Sequence, residues 1–171
     1  MKNYITSSIL VLNLTIFSQA VAANNVTLNF TGNIKASPCI VSGSNPINID
    51  LNTVYAGTFN EVQTASEWKN FNIRLTNCSS NMSKITLTFS GEADNADLNS
   101  LYKNKGTATN LAVQLQGGID GQPLGNQKKL EVTMSNQTSI DVPLKVRVFS
   151  VSGGGTPGTI LANITSTITY L

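Results

Sequence analysis

Apolar and polar residues alternate with a period of two along most of this chain, and helical spacing is nearly absent. Such alternation puts one set of side chains on each face of a strand, which calls for sheets with a single buried face. Phe71, Ile73 and Leu75 alternate with Asn72, Arg74 and Thr76, and Ile85, Leu87 and Phe89 follow the same rule. So do Leu111, Val113 and Leu115, then Leu130, Val132 and Met134, then the long run Ile140, Val142, Leu144, Val146 and Val148. Shorter runs fall at Ile47, Ile49 and Leu51, and towards the ends at Val26, Leu28, Phe30, Gly32 and Ile34, and at Ile160, Ala162, Ile164, Ser166, Ile168 and Tyr170. Gly-, Ser- and Pro-rich turns such as 42–46, 117–121 and 152–158 separate the runs. About eight short strands of this kind predict an all-β sandwich. A short helical turn is expected near Thr64–Lys69 or Asp94–Tyr102.

Composition removes most chemistry. The chain has no histidine, so Ser-His-Asp and Cys-His catalysis and imidazole-based metal sites are excluded. A net charge of +2 without a basic cluster gives no footprint for nucleic acid. Ser, Thr and Asn make up 57 of the 171 residues, while charged residues, at 12%, are about half as frequent as usual. That surface suits an extracellular β-protein.

Lys2, the apolar run Ile9 to Phe17 and Ala20-Val21-Ala22 read as a secretory signal peptide over 1–22. The apolar core is too short for a membrane span of about 20 residues, so no integral insertion is expected. Cleavage after Ala22 leaves 149 residues, one domain's worth. Cleavage after Ala23 is the close alternative. Export to an oxidising compartment favours a structural Cys39–Cys78 disulfide over two free thiols. Its Cα atoms should lie about 5.5–6 Å apart.

The run at the new N-terminus lies outside the disulfide loop and could be an edge strand or a strand meant for another chain. The last run carries no gatekeeping charge between Ile160 and Leu171. Its strand would be an exposed apolar sheet edge unless a partner covers it.

These features, taken together, resemble the pilins of the chaperone–usher pathway. The matches are the arm with Gly32, then Pro38-Cys39, Leu75-x-x-Cys78 and Thr88-Phe89-Ser90-Gly91, with Gly158 fourteenth from the C-terminus and a penultimate Tyr170. Within that family the chain is most similar to the minor adaptor subunits of type 1 fimbrial tip fibrillae. That likeness rests on Ser90-Gly91-x-Ala93-Asp94, Tyr102-Lys103-Asn104-x-Gly106-Thr107-Ala108-x-Asn110, Pro143-Leu144-x-Val146-Arg147 and Thr156-x-Gly158-Thr159-Ile160.

The resemblance implies an immunoglobulin-like β-sandwich lacking its final strand, completed by a donor strand from a chaperone or a neighbouring subunit. It implies a structural tip adaptor linking the adhesin and shaft of an adhesive pilus, not an enzyme, polymerising by donor-strand exchange. Residues 23–36 would be the donor arm, with Val26, Leu28, Phe30, Gly32 and Ile34 facing the neighbour's pockets. Residues 37–171 would be the pilin domain. Gly158, Ile160, Ile164, Ile168, Tyr170 and Leu171 would form the acceptor groove and chaperone-binding edge, a basic pair on the chaperone gripping the Leu171 carboxylate. The implied partners are a periplasmic pilus chaperone, an outer-membrane usher and neighbouring fimbrial subunits, on a route through the periplasm to the fimbrium at the bacterial cell surface. No cofactor, metal or nucleic acid is implied.

Two other roles compete. One is the major rod pilin of the same type of fimbria, and the other a secreted carbohydrate-binding module or lectin. Trp68 could stack on a sugar or simply cover a core edge. Glu92, Asp94 and Asp97 lie close together but lack the glycine and closing glutamate of a calcium loop, and read as a solvated loop. Lys128-Lys129 reads as a solubilising surface pair.

Overall fold

The computed structural model describes residues 27–33 and 37–171. The signal peptide 1–22, and Val26 and Ile34 of the arm, lie outside the described residues. The chain divides after Asn33 into two units. In the first, residues 27–33 carry no helix or strand, and Leu28 and Phe30 are 70% and 90% exposed.

In the second unit the alternating runs become strands: β1 (Ile40–Ser42), β2 (Thr64–Ala65), β3 (Lys69–Thr76), β4 (Lys84–Gly91), β5 (Leu101–Lys103), β6 (Ala112–Gly117), β7 (Lys129–Thr133), β8 (Ile140–Ser150) and β9 (Ile164–Tyr170). One sheet runs β1-β3-β8-β6-β5, with β2 also on β8, and the other runs β7-β4-β9. All pairings are antiparallel. The predicted parity holds. Val142, Leu144, Val146 and Val148 of β8 are buried while Asp141 is exposed and Lys145 and Arg147 half-buried. Val142, Leu144 and Val146 meet Ile85, Leu87 and Phe89 of the other sheet in a core that also takes in Ile73, Leu75, Val113 and Leu115. A smaller cluster of Phe59, Ala108, Leu111 and Val148 caps one end.

Three expectations are corrected. Ile47–Leu51 forms no strand, because no neighbouring strand is in place to pair with it and the sheet edge ends at Ser42. The last strand begins at Ile164 rather than Ile160, because the preceding backbone is tied to a loop instead of a ladder. Of the two expected helical turns, that near Thr64–Lys69 does not form, whereas within 94–102 Leu101 N donates to the Asp97 carbonyl at 3.1 Å and closes a single turn that no helix continues. Thr64–Ala65 pairs with β8, and Asp94 and Asp97 cap local turns through Ala96 N (2.9 Å) and Asn99 N (2.9 Å). A 3₁₀ turn not foreseen in the sequence lies at Ala56–Phe59.

Cys39 and Cys78 are disulfide-bonded and buried, just before β1 and just after β3. Their Cα atoms are 4.2 Å apart, closer than expected, because they sit at the end of an antiparallel pair where the two backbones run side by side. Met82 Sδ packs 3.9 Å from Cys39 Sγ.

Tyr102 shows how the core handles a polar tip. Its ring is 1% exposed and its hydroxyl donates to the Leu124 carbonyl at 2.9 Å. Burial pushes the phenol well above its ordinary pKa, so it stays a donor. Tyr102→Phe strands that carbonyl and is expected to cost about 1–2 kcal/mol in reversible urea unfolding. An unchanged midpoint would contradict this role.

Candidate strand-acceptor groove

β9 pairs with β4 along its whole length, from Ile85↔Tyr170 to Gly91↔Ile164, and its other edge has no strand partner among the described residues. On the opposite sheet, β1 is likewise an edge, paired to β3 alone. Between the two edges the sandwich is open. The opening is a groove of about 1050 Å³ with Ile160, Ala162, Ile164, Ser166 and Ile168 along one wall. Residues 45–54, including Ile47, Ile49 and Leu51, form the facing wall. The floor is core: Phe71, Ile73, Phe89, Val113, Leu115, Leu144 and Val146.

The burial pattern of β9 records the opening. Its inward residues, Ile164, Ser166, Ile168 and Tyr170, are only half-buried, whereas the inward residues of β4 are 0–2% exposed. The residues 47–51 show the same deficit from the other side. They are apolar at alternate positions, yet form no ladder. One strand inserted between them and β9 would pair on both sides and bury both walls.

Gly158, Ile160, Ile164 and Ile168 are all brought to this groove. Tyr170 and Leu171 are not among its lining residues. Tyr170 packs on the core with its hydroxyl donating to the Cys39 carbonyl at 3.3 Å, and burial raises its pKa. The Leu171 carbonyl accepts from Ser83 N (2.9 Å), Lys84 N (3.2 Å) and Ser83 Oγ (3.1 Å), which pins the end of β9 beside the start of β4.

The sequence motifs did not reveal what shapes the other end of the groove. Two of the stretches carrying the family resemblance, 102–110 and 156–160, lie against each other. Thr107 N donates to Thr159 Oγ1 (3.0 Å), Ala108 N to Thr159 O (3.2 Å) and Thr109 N to Thr156 Oγ1 (2.9 Å). Asn104 is the hub: its Oδ1 accepts from Gly106 N and Leu161 N, both at 2.8 Å, and its Nδ2 donates to Ala108 O (2.8 Å) and Thr159 O (3.2 Å). The approach is so close that a Cβ at Gly106 would overlap the Thr159 carbonyl, and one at Gly158 would overlap the Ala108 backbone. Glycine is required at both by the neighbouring backbone. This clamp holds Ile160 over Phe59, Leu111 and Val148 and closes that end of the groove. The spacing of the two stretches gives no sign that they touch; only their shared Thr and Gly content hints at a polar seam.

The remaining candidate groups have local roles. Trp68 lies under the Arg147 guanidinium (4.2 Å) and the Lys145 ammonium (5.0 Å), and Arg147 Nε donates to Gln114 Oε1 (2.7 Å). The indole is thus part of a cation–π stack on the sheet's outer face. Glu92 pairs with Lys103 (2.8 Å) and Lys105 (3.2 Å), and the Lys103 bond chiefly holds its carboxyl below the usual range. Asp97 is held low mainly by the Ser100 hydroxyl. Each carboxylate is engaged separately.

An antiparallel two-sheet sandwich open along one strand position defines an immunoglobulin-like fold with its last strand missing. Comparison with known proteins agrees. Residues 28–171 match the family model described as "Fimbrial protein". The chain is 38% identical over 171 residues to protein FimG of Escherichia coli (strain K12), spanning 99% of this chain and 96% of that one. It is 34% identical to the S-fimbrial adhesin protein SfaS of Escherichia coli O6:K15:H31 (strain 536 / UPEC), over 86% of each chain. Among solved structures, the P pilus rod subunit PapA superimposes with a TM-score of 0.61 at 21% identity, covering 79% of this chain and 100% of that one. The chain belongs to the fimbrial protein family. It is a structural subunit of a surface fimbria that associates with other subunits, and not an enzyme.

Proposed function

We propose that this subunit is a tip adaptor that polymerises by donor-strand exchange. The arm, residues 23–36, is donated to a neighbour, and the groove between β9 and residues 45–54 takes the arm of another subunit. The observation that carries this is the unpaired edge of β9 above an apolar-floored groove of about 1050 Å³. An open apolar sheet edge invites aggregation unless covered. A strand added there gains a main-chain ladder on both sides, while alternate side chains enter the groove and set specificity. During export a periplasmic chaperone covers the same edge, with its basic pair on the Leu171 carboxylate beside the end of β9, and the outer-membrane usher exchanges it for the next arm.

The adaptor role rests on the likeness to FimG over nearly the whole of both chains. The rod-subunit likeness, at 21% identity, speaks to fold alone. Electron microscopy of fibres carrying an epitope-tagged version of this subunit tests the role. Label confined to fibre tips is the expected result, and label along the shaft would replace the adaptor by the rod pilin.

A further inference from the structure

The backbone hydrogen bonds of the C-terminal segment follow one alternation that does not stop where β9 begins. Leu171 exchanges both backbone bonds with Lys84, at 3.0 and 3.2 Å. In an antiparallel ladder such bonded pairs recur at every second residue, so Thr169, Thr167 and Thr165 face Thr86, Thr88 and Ser90 in the same way. Upstream of β9 the odd-numbered residues continue the pattern with other partners. Leu161 N donates to Asn104 Oδ1 (2.8 Å), and Leu161 O accepts from Lys105 N (2.7 Å). Thr159 N donates to Thr107 Oγ1 (2.9 Å), and Thr159 O accepts from Ala108 N (3.2 Å). Exposure alternates with the same parity. Thr159, Leu161 and Asn163 are exposed, whereas Ile160, Ala162 and Ile164 are partly buried against the core.

Among the described residues, Ile160 and Ala162 make no backbone hydrogen bond. By the alternation their N–H and C=O groups point to the open side, together with those of Ile164, Ser166, Ile168 and Tyr170. The edge offered to an incoming strand therefore runs over residues 160–170, four more than the seven of β9. An arm patterned like this chain's own needs that length. Val26, Leu28, Phe30, Gly32 and Ile34 are five inward positions, whereas β9 alone opposes them with four, Ile164, Ser166, Ile168 and Tyr170. β4 gives the extra residues no ladder, because it ends at Gly91. Asn104 takes its place. Its Oδ1 accepts from Gly106 N and Leu161 N, and its Nδ2 donates to Ala108 O and Thr159 O, which uses the full capacity of the amide. Towards Thr159 and Leu161 it acts as the peptide group of a neighbouring strand would.

We infer that Asn104 is a positioning residue of the acceptor edge: it stands in for the continuation of β4 and holds 159–161 in register, so that Ile160 and Ala162 join the ladder with an incoming strand. The inference rests on the acceptor reading of the groove and deepens it. Without the amide, Leu161 N and Thr159 O lose partners on the β4 side. The segment would then have to be ordered at the moment of pairing, at an entropic cost that the clamp otherwise removes in advance.

The test is amide hydrogen exchange on the exported chain, refolded from denaturant with an excess of a synthetic peptide of sequence 23–36 and read residue by residue by NMR. In the wild type the amides of Ile160 and Ala162 should be protected together with those of Ile164, Ser166, Ile168 and Tyr170. In Asn104→Ala the first two should exchange about tenfold faster, while the other four keep their protection. Thr107→Val removes the acceptor of Thr159 N at an exposed position and reads the same two amides should Asn104→Ala fail to refold. Equal acceleration of all six amides would make the clamp a general stabiliser and overturns the inference. So does unchanged protection of Ile160 and Ala162 in the variants, or their free exchange in the wild type beside four protected amides; in both cases the acceptor groove stands. Free exchange of all six in the wild type overturns the acceptor reading as well.

Discussion

Leucine in place of Gly32 is expected to abolish donation of the arm while leaving the subunit folded and able to accept an arm itself. A Cβ added at position 32 would meet nothing within 4 Å beyond its chain neighbours, so the local structure does not resist the change. On the proposed reading the obstacle lies in the neighbour, where the inward glycine would face a site too shallow for a side chain. Burial of Val26, Leu28, Phe30 and Ile34 at about 1.5–3 kcal/mol each gives an upper estimate of roughly 6–12 kcal/mol for the joint, before the ladder is counted. Leucine at Gly32 would lift the arm from its groove and forfeit much of that total. Such joints persist because they open slowly, so the loss appears as a failure to form rather than as faster decay. Mixed assembly separates the two roles. The variant should take another subunit's arm into its own groove yet fail to insert its arm into a wild-type groove, and so fail to join a growing fibre. Donation at the wild-type level would remove the arm from the proposed joint. Deletion of residues 24–35 gives a second check, since unfolding of the truncated subunit would show that the arm belongs to its own core.

Much of the fold was legible because period-two alternation is a local signal and sheet burial follows it directly. Ile85, Leu87 and Phe89, or Val142 to Val148, point inward as their parity requires. Where a strand forms was less legible, since a ladder needs a neighbour as well as a pattern. Ile47, Ile49 and Leu51 alternate as well as any run here, yet they carry no strand, because no strand among the described residues lies beside them to pair with. Ile160 and Ala162 continue the β9 pattern, but Asn104, Lys105 and Thr159 hold their backbone instead. The clamp itself depends on contacts across about fifty residues, which spacing along one sequence does not encode. The groove could be foreseen from β9 alone. Its far wall, residues 45–54, could not.

Removing the disulfide is the other change expected to have a large effect. Cys39 and Cys78 are 39 residues apart in sequence, and closing a loop of that length should stabilise the fold by about 4 kcal/mol on the chain-entropy account. Against a typical domain stability of about 5–15 kcal/mol, that is a large share. The position of the bond adds a local consequence. β1 is only three residues long and pairs with β3 alone, so the bond to Cys78 is its firmest attachment. The Cys39 carbonyl also receives the Tyr170 hydroxyl, which couples β1 to the end of β9. Loss of the bond therefore loosens the sheet edge on both sides of the groove mouth. Serine at these buried positions would add a desolvation cost of its own, so Cys39→Ala/Cys78→Ala and chemically reduced wild type are the better comparisons. Both should unfold in urea at markedly lower concentration than the oxidised protein, with the reduced form close to the alanine variant. Equal midpoints for reduced and oxidised wild type would show that β1 is held by packing alone, and would assign the closure of this edge to Met82 and the surrounding core rather than to the bond.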